Sequence, residues 1–492
     1  MSLAKKIAHN TLIQTIGKIV STILGLFSLA LITRHLGQAG FGEYTTIYTF
    51  LTFFAVIADL GLTLITVQMI SGETENENKI LNNLFSLRLL SALFFIGLAP
   101  VIVIFLPYSP EVKFGVLITA IAFIFPALNQ ILIGLFQKRL SMDRSSLAEI
   151  VSRIVLLLGI IISGRLNGGL NGVLIATVIS GAINFILHYV LALKFVTLKF
   201  AFDLSLWKMI IGRSWPLALT IILNLIYLRA DTLLLSLFKD NETVGIYGAA
   251  YRIIDVITTL PFMFAGLILP ILTTAWLEKK LESFQKILQK SFDFMAIMAI
   301  PLLVGTQFLS KNIMISIAGR DFAEAAPILQ VLIFSVAAIF LGTIFTHATI
   351  AINKQKKLIG FYAFTSASSL LAYLILIPRY SYFGAAAVTI YSEVMIMFFS
   401  AYCVYKYSRF LPNLLVSGKS LIASLVMGAF LYLIPQFILE SLIGLIISLA
   451  TAIFLYFILL YFLGGIKSEE IKAILRKQSK GGSPTYDPGS NF

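Results

Sequence analysis

Fourteen apolar stretches divide the chain, at about 11–33, 41–70, 80–106, 113–136, 146–163, 169–193, 214–237, 243–272, 291–309, 323–352, 358–378, 383–405, 420–439 and 441–463. Most are near the ~20 residues that a helix needs to cross the hydrocarbon core of a bilayer. In hydrocarbon every backbone N–H and C=O must be satisfied within the protein, and stretches of this length do so as helices. The pattern predicts an all-α integral membrane protein with about 14 transmembrane helices. The longer runs are expected to tilt or protrude. Only 12% of residues are charged and mean hydropathy is +0.94, whereas soluble domains carry roughly 25% charged residues. Connections are short, leaving no room for a catalytic domain outside the membrane.

Several classes are set aside. The single Cys403 lies in an apolar run and four His are scattered, so neither a disulfide framework nor a metal-ligand spacing is present. The polar start Met1-to-Asn10 leads into a run too long for the h-region of a cleavable signal peptide. The net charge of +14 invites a nucleic-acid reading, but its distribution follows the membrane instead. With the N-terminus in the cytoplasm, the inside connections hold twenty-five of the 37 Lys and Arg, and the outside ones seven. That is the positive-inside bias, and a missed span would break it downstream. Both termini are thus expected in the cytoplasm. The acidic loop Ser71-to-Lys79 departs in sign, though acids contribute little to the rule.

Five cations remain inside spans: Lys18, Arg88, Arg153, Arg229 and Arg252. At a helix centre such a group costs roughly 2.5–3.5 kcal/mol on insertion scales, so it is expected to face a wet cavity or a partner. The densest stretch is Trp215–Thr258, two spans joined by the polar turn Lys239-Asp240-Asn241-Glu242. Its first span carries Asn224, Tyr227, Arg229 and Asp231; its second opens with Gly245, Tyr247 and Tyr251, then Arg252 and Asp255. Two readings stand side by side: a polar chamber inside a helical bundle, or structural pairs Arg229/Asp231 and Arg252/Asp255. Lys18 shares a helix face with Gln14, Ser21 and Gly25, and Asp59 shares one with Tyr44, Tyr48 and Ala55. Arg153 follows Glu149 by four residues, so the two can neutralise each other. Arg88, eight residues into its span, is read either as a chamber residue or as snorkelling to the interface. Glu393, the one acid of its span, is either a coupling-ion site or bonded to a neighbour. Residues 276–290 alternate apolar and charged side chains, predicting an amphipathic helix lying along the cytoplasmic interface. The Gly/Ser/Pro-rich tail, within 466–492, is expected to be partly disordered.

An internal repeat organises the spans. Gly42, Tyr44 and Tyr48 recur at an offset of 203 as Gly245, Tyr247 and Tyr251, each set opening the second helix of its half. Gly172-to-Ser180 recurs at an offset of 212 as Gly384-to-Ser392. The expected organisation is a six-helix lobe over 1–200, a second in the same orientation over 201–410, and an extra helix pair over 411–465. Parallel repeats of this kind place a transporter's site between the halves.

The span count, Leu36-Gly37…Phe41-Gly42-Glu43-Tyr44 at the second helix, Asp59-Leu60-Gly61 at its end, and Gly172…Thr177…Ser180 in the sixth resemble the Wzx-like, O-antigen-type polysaccharide flippases. These belong to the multidrug/oligosaccharidyl-lipid/polysaccharide superfamily, and the resemblance covers about residues 1–465. It implies transport, not catalysis: a polyprenyl-pyrophosphate-linked oligosaccharide moved by alternating access from the cytoplasmic to the outer leaflet of the cell inner membrane. It also implies two lobes forming a V around a cationic chamber. In the lipid II flippases the last two helices form a groove for the lipid tail. Expected partners are the lipid-linked cargo, membrane lipids and other polysaccharide assembly proteins, with no nucleic acid, no metal and no cofactor beyond a coupling H⁺ or Na⁺. The five cations are the candidate phosphate ligands. Asn224, Tyr44, Tyr48, Tyr247 and Tyr251 are candidate sugar contacts, or else bridges between helices. Asp59, Glu149, Asp231, Asp255 and Glu393 are candidate charge partners or ion-coupling groups. The competing readings are an organic-cation antiporter of the same superfamily, which would want acidic walls, and a membrane polymerase or glycosyltransferase, which would want a larger outside loop.

Overall fold

In a computed structural model, residues 3–71 and 77–466 are described. The acidic loop falls largely outside them, and the expected disordered tail lies outside them. Fourteen α-helices follow one another: α1 (Leu3–Asp59), α2 (Leu62–Ser71), α3 (Glu77–Ile104), α4 (Pro110–Lys138), α5 (Met142–Arg165), α6 (Gly169–Ala192), α7 (Leu204–Phe238), α8 (Asn241–Leu277), α9 (Leu281–Ala318), α10 (Ala326–Ala351), α11 (Leu358–Ser408), α12 (Leu415–Leu433), the one-turn α13 (Gln436–Leu439) and α14 (Leu442–Phe462). Among the described residues, twelve helical segments are long and apolar enough to cross a membrane.

Two of those twelve hold two spans each, which returns fourteen crossings. α1 breaks at Gly37 (φ 65°) and α11 at Ser381 (φ 53°). The chain doubles back at both. Gly384 packs on the Leu376 carbonyl, and the Tyr373 hydroxyl meets Thr389 Oγ1 at 3.2 Å. In a straight helix, residues 16 apart would be roughly 24 Å apart. On α1, Ser21, Gly25 and Tyr44 likewise line one cavity. An even number of crossings leaves both ends of the described chain on one side.

The repeat is visible in the backbone. Gly169, at the turn into α6, has φ 53°, and its counterpart 212 residues on is Ser381. At the contact between the second arm of α1 and α8 the correspondence becomes reciprocal. A Cβ on Gly42 would strike the Asn241 carbonyl, and one on Gly245 would strike the Gln38 carbonyl. Asn241 is the repeat mate of Gln38, and Gly245 of Gly42. Gly248 lies 2.7 Å, measured to a Cβ placed on it, from its own mate Thr45. Two lobes therefore meet across a pseudo-two-fold axis running between α1 and α8. Glycine at these positions lets the helices cross backbone to backbone.

The same end is closed by polar ties. Arg34 donates to Ile317 O at 3.0 Å and Ser316 O at 2.8 Å, capping the end of α9. Gln38 donates to the Asp321 carbonyl, and Tyr108 meets Ser236 Oγ at 2.8 Å. At the opposite end the linker between lobes is strapped onto α3: Lys199 N, Ala201 N and Asp203 N donate to Asn82, Ser86 and Asn83. α12 and α14 pack on α9 through Val304, Leu309, Ala423, Met427 and Tyr456.

Two sequence expectations are corrected. Residues 276–290 are not one interfacial helix. α8 ends at Leu277, the chain turns at Lys279 (φ 58°), and α9 starts at Leu281 and runs on as a span. Phe284 and Leu288 are fully buried, so the apolar face packs on protein rather than lipid. Arg88 does not snorkel: it is 3% exposed and sealed between α1 and α4.

Candidate functional site

Four neighbouring cavities form a polar path between and within the lobes. The largest, about 970 Å³, lies in the first lobe and reaches along α1 and α2 from Tyr48 to Thr63, away from the closed end. Its walls include Lys18, Asp59, Arg88, Glu149 and Arg153. A second, about 240 Å³, shares Lys18, Glu149 and Arg153 and adds Tyr44, Arg252 and Asp255. A small space of about 80 Å³ joins Tyr48 and Thr49 to Arg229, Tyr251 and Arg252. The fourth, about 250 Å³, lies in the second lobe with Asn224, Arg229, Tyr251, Asp255, His347 and Glu393. Nine of the ten predicted cargo contacts thus line one system; Tyr247 does not.

The cations differ in how they are held. Arg88 pairs with Asp59 at 2.6 Å and also donates to Ala127 O and Ala58 O, and Thr63 donates to the same carboxylate. Lys18 pairs with Glu149 at 3.7 Å. This corrects the expected Glu149–Arg153 neutralisation: the acid is taken across helices, and Arg153 has no acid within 4 Å among the described residues. Arg229 pairs with Asp255 at 2.7 Å, while Arg252 reaches the same carboxylate only at 4.0 Å. Asp255 therefore serves two guanidinium groups, and that cluster carries a net positive charge. Tyr rings lie nearby, with Arg229 over Tyr251 at 4.9 Å and Arg252 across the lobe boundary toward Tyr48 at 5.7 Å.

Asp231 is the second correction. It does not pair with Arg229. Its carboxylate is fully buried and accepts from Tyr247 Oη at 2.6 Å, Thr389 Oγ1 at 3.2 Å and Thr232 N at 2.6 Å. Tyr247 is accordingly an internal tie, not a cavity residue. Tyr251 faces the cavity but donates its hydroxyl to Leu228 O, and Asn224 donates to Tyr227 Oη at 2.7 Å. Sequence reasoning missed Asn129, Gln130, Asn184 and His188, which line the large cavity. Their signal was available: Asn184 and His188 sit one turn apart in an apolar run, and Asn129-Gln130 interrupts the fourth span.

The architecture defines a class: two pseudo-symmetric helical lobes around a polar chamber are the fold of the superfamily to which multidrug and lipid-linked sugar exporters belong. The structure of the lipid II flippase MurJ in an inward closed conformation is similar to it with a TM-score of 0.73 at 18% identity, covering 91% of this chain and 98% of that one. A superfamily transporter from Pyrococcus furiosus gives 0.58 at 14% identity, covering 82% and 95%. The family model for polysaccharide biosynthesis proteins matches residues 7–276, more than half of the chain, and the chain belongs to that family. Among curated proteins, the probable flippase AglR of Haloferax volcanii is 23% identical over 215 residues, which is 43% of this chain and 45% of that protein. The match thus spans less than half the length of that relative.

Proposed function

We propose that the protein carries a polyprenyl-pyrophosphate-linked oligosaccharide from the cytoplasmic to the outer leaflet of the inner membrane, by alternating exposure of the chamber between its lobes. The carrying observation is the supply of underused guanidinium in that chamber. Arg252 has only a carboxylate already held by Arg229, and Arg153 has no acid within 4 Å among the described residues. Planar donor forks suit phosphate oxygens, and the low dielectric strengthens the contact. The amide and hydroxyl walls of the 970 Å³ cavity suit sugars. Membership of a polysaccharide biosynthesis family and the likeness to flippases support the same cargo class. An organic cation would be repelled by the Arg229–Asp255–Arg252 cluster.

With the positive-inside bias, the closed end bearing Gly37 and Lys239 faces outward and the large cavity faces the cytoplasm, where both termini lie. This is the geometry for taking cargo from the inner leaflet. The function is transport, needing no cofactor beyond a coupling ion, with membrane lipids and other polysaccharide assembly proteins as partners.

Arg252 provides the test. Losing one charge-assisted bond set weakens phosphate binding by about 1.5–3 kcal/mol, on the order of ten- to a hundred-fold. Arg252→Ala should make lipid-linked oligosaccharide accumulate on the cytoplasmic face at equal membrane abundance of protein, and Arg252→Lys should accumulate less. No excess of precursor in Arg252→Ala would remove Arg252 from the cargo path.

A further inference from the structure

Of the five candidate charge-partner acids, one stands apart among the described residues. Asp59 is held by Arg88, Glu149 by Lys18 and Asp255 by Arg229, and Asp231 accepts from three hydroxyls and a backbone N–H. Glu393, on the second arm of α11, has no such partner. It is 6% exposed, its Oε1 is buried with no hydrogen-bond partner, and no cation lies within ion-pair reach among the described residues. It nevertheless forms part of the wall of the second-lobe cavity beside Arg229 and His347.

We propose that Glu393 is a proton-binding site of the transport cycle, holding a proton while the second-lobe cavity is closed and releasing it when the cavity opens to water. This rests on the transporter reading above. The physical ground is a buried carboxyl oxygen with no donor among the described residues. A carboxylate in a low-dielectric wall needs partners, and without them the neutral acid is the form that fits. The groups facing it come from every neighbouring element. On α7, Arg229 is committed to Asp255 of α8, and Tyr227 Oη accepts from Asn224. On α10, His347 Nδ1 is bonded to Thr343 O. On the first arm of α11 stand Tyr362 and Tyr373, the latter donating to Tyr227 O. None of these supplies a charge to Glu393 in the closed form. Release of Arg229 from Asp255 would supply one, and entering water would solvate the carboxylate and carry the proton away. Binding and release are thereby tied to cavity opening, which is what coupling requires. A proton needs one carboxyl oxygen, whereas a hard cation collects several oxygen ligands, and exchange of choline for sodium separates the two.

The test uses the full chain in lipid nanodiscs and infrared difference spectroscopy. Wild type should show a protonated-carboxyl band at neutral pH that Glu393→Gln lacks and Glu393→Asp retains at a shifted frequency. Replacing choline chloride with sodium chloride should leave it unchanged. A band unaltered in Glu393→Gln would overturn the proposal, and so would its loss on adding sodium at constant pH. In cells, Glu393→Gln should accumulate lipid-linked precursor several-fold at equal abundance, to the level a protonophore produces in wild type; accumulation equal to untreated wild type would overturn the coupling role. The spectrum reads the site whatever the cargo proves to be, so its outcome is separable from that of Arg252→Ala.

Discussion

The Arg88–Asp59 pair offers a sharp separation of structure from transport, because both residues are buried and both line the large cavity. At 2.6 Å two unit charges attract by about 6 kcal/mol at an effective dielectric of about 20. Desolvation of both groups offsets much of that, so the pair itself stabilises little. Breaking it is another matter. Arg88→Met leaves Asp59 with the Thr63 hydroxyl alone, and Asp59→Leu leaves a guanidinium on two helix carbonyls. Each single change should cost about 3–5 kcal/mol. The Ala58 carbonyl keeps a donor in either case, since Ser91 Oγ also reaches it at 2.8 Å. The double variant strands no charge, and the volume added by Asp59→Leu falls beside the large cavity, so it should lose less than either single variant. Chemical unfolding in detergent, followed by tryptophan fluorescence, measures all four proteins. Trp207 is a suitable reporter because its indole docks on Asn83 of α3, the helix that also carries Arg88. Additive losses in the double variant would refute the pairing, and single losses under about 1 kcal/mol would refute the burial. A stable double variant that accumulates precursor would show that the pair also meets cargo.

Three further outcomes are expected. Gly42→Ala and Gly245→Ala should abolish transport or membrane abundance, because each Cβ meets a backbone carbonyl of the opposite lobe, whereas Gly97→Ala, with open space around it, should be neutral in both assays. Tyr247→Phe should destabilise the protein by about 1–3 kcal/mol by depriving the buried Asp231 of a donor, read from the same unfolding curves. Asp203, in the linker, is held below the ordinary aspartate range by the Lys79 ammonium and the Leu206 N–H. Its folded form is thus the weaker proton binder, so its contribution to anchoring the linker is present above the unfolded range and fades as pH falls through the folded one. Protease sensitivity of the linker should rise on acidification, and Asp203→Asn should remove that rise.

The fold was readable because it rests on length and hydropathy, which the bilayer enforces on every span. Gly37 and Ser381 did not obscure it, since each lies between apolar runs that are separately long enough to cross. The segment 276–290 misled because a helix on a membrane and a helix on protein share the same 3.6-residue stripe; only Phe284 and Leu288, buried in the core, distinguish them. Charged residues in spans pointed to the cavities they line, since they are too costly to be incidental. Their partners were not readable, because pairing is decided between helices. Glu149 turned to Lys18 rather than to Arg153. Arg229 and Asp231, two residues apart, point to different sides of α7, and helical geometry already argues against that pair. Tyr247 looked like the repeat mate of Tyr44 in function as well as position, but the acid that engages it, Asp231, corresponds to residue 28, a serine.

The reciprocal contact of Gly42 with Asn241 and Gly245 with Gln38 has the form of an isologous dimer interface, in which one patch meets its own copy. Two halves that recognise each other in this way do not need a peptide bond to find their register. A chain severed between residues 194 and 203 and expressed as two polypeptides should assemble in the membrane, with the second half arriving at a surface the first half already presents. The linker, strapped by its own amides to α3, then serves to fix the ratio and order of the halves. By the same reasoning, a single six-helix unit pairing with itself would possess the central crossing, and the asymmetry of Arg252 against Thr49 is the kind of difference that fusion permits.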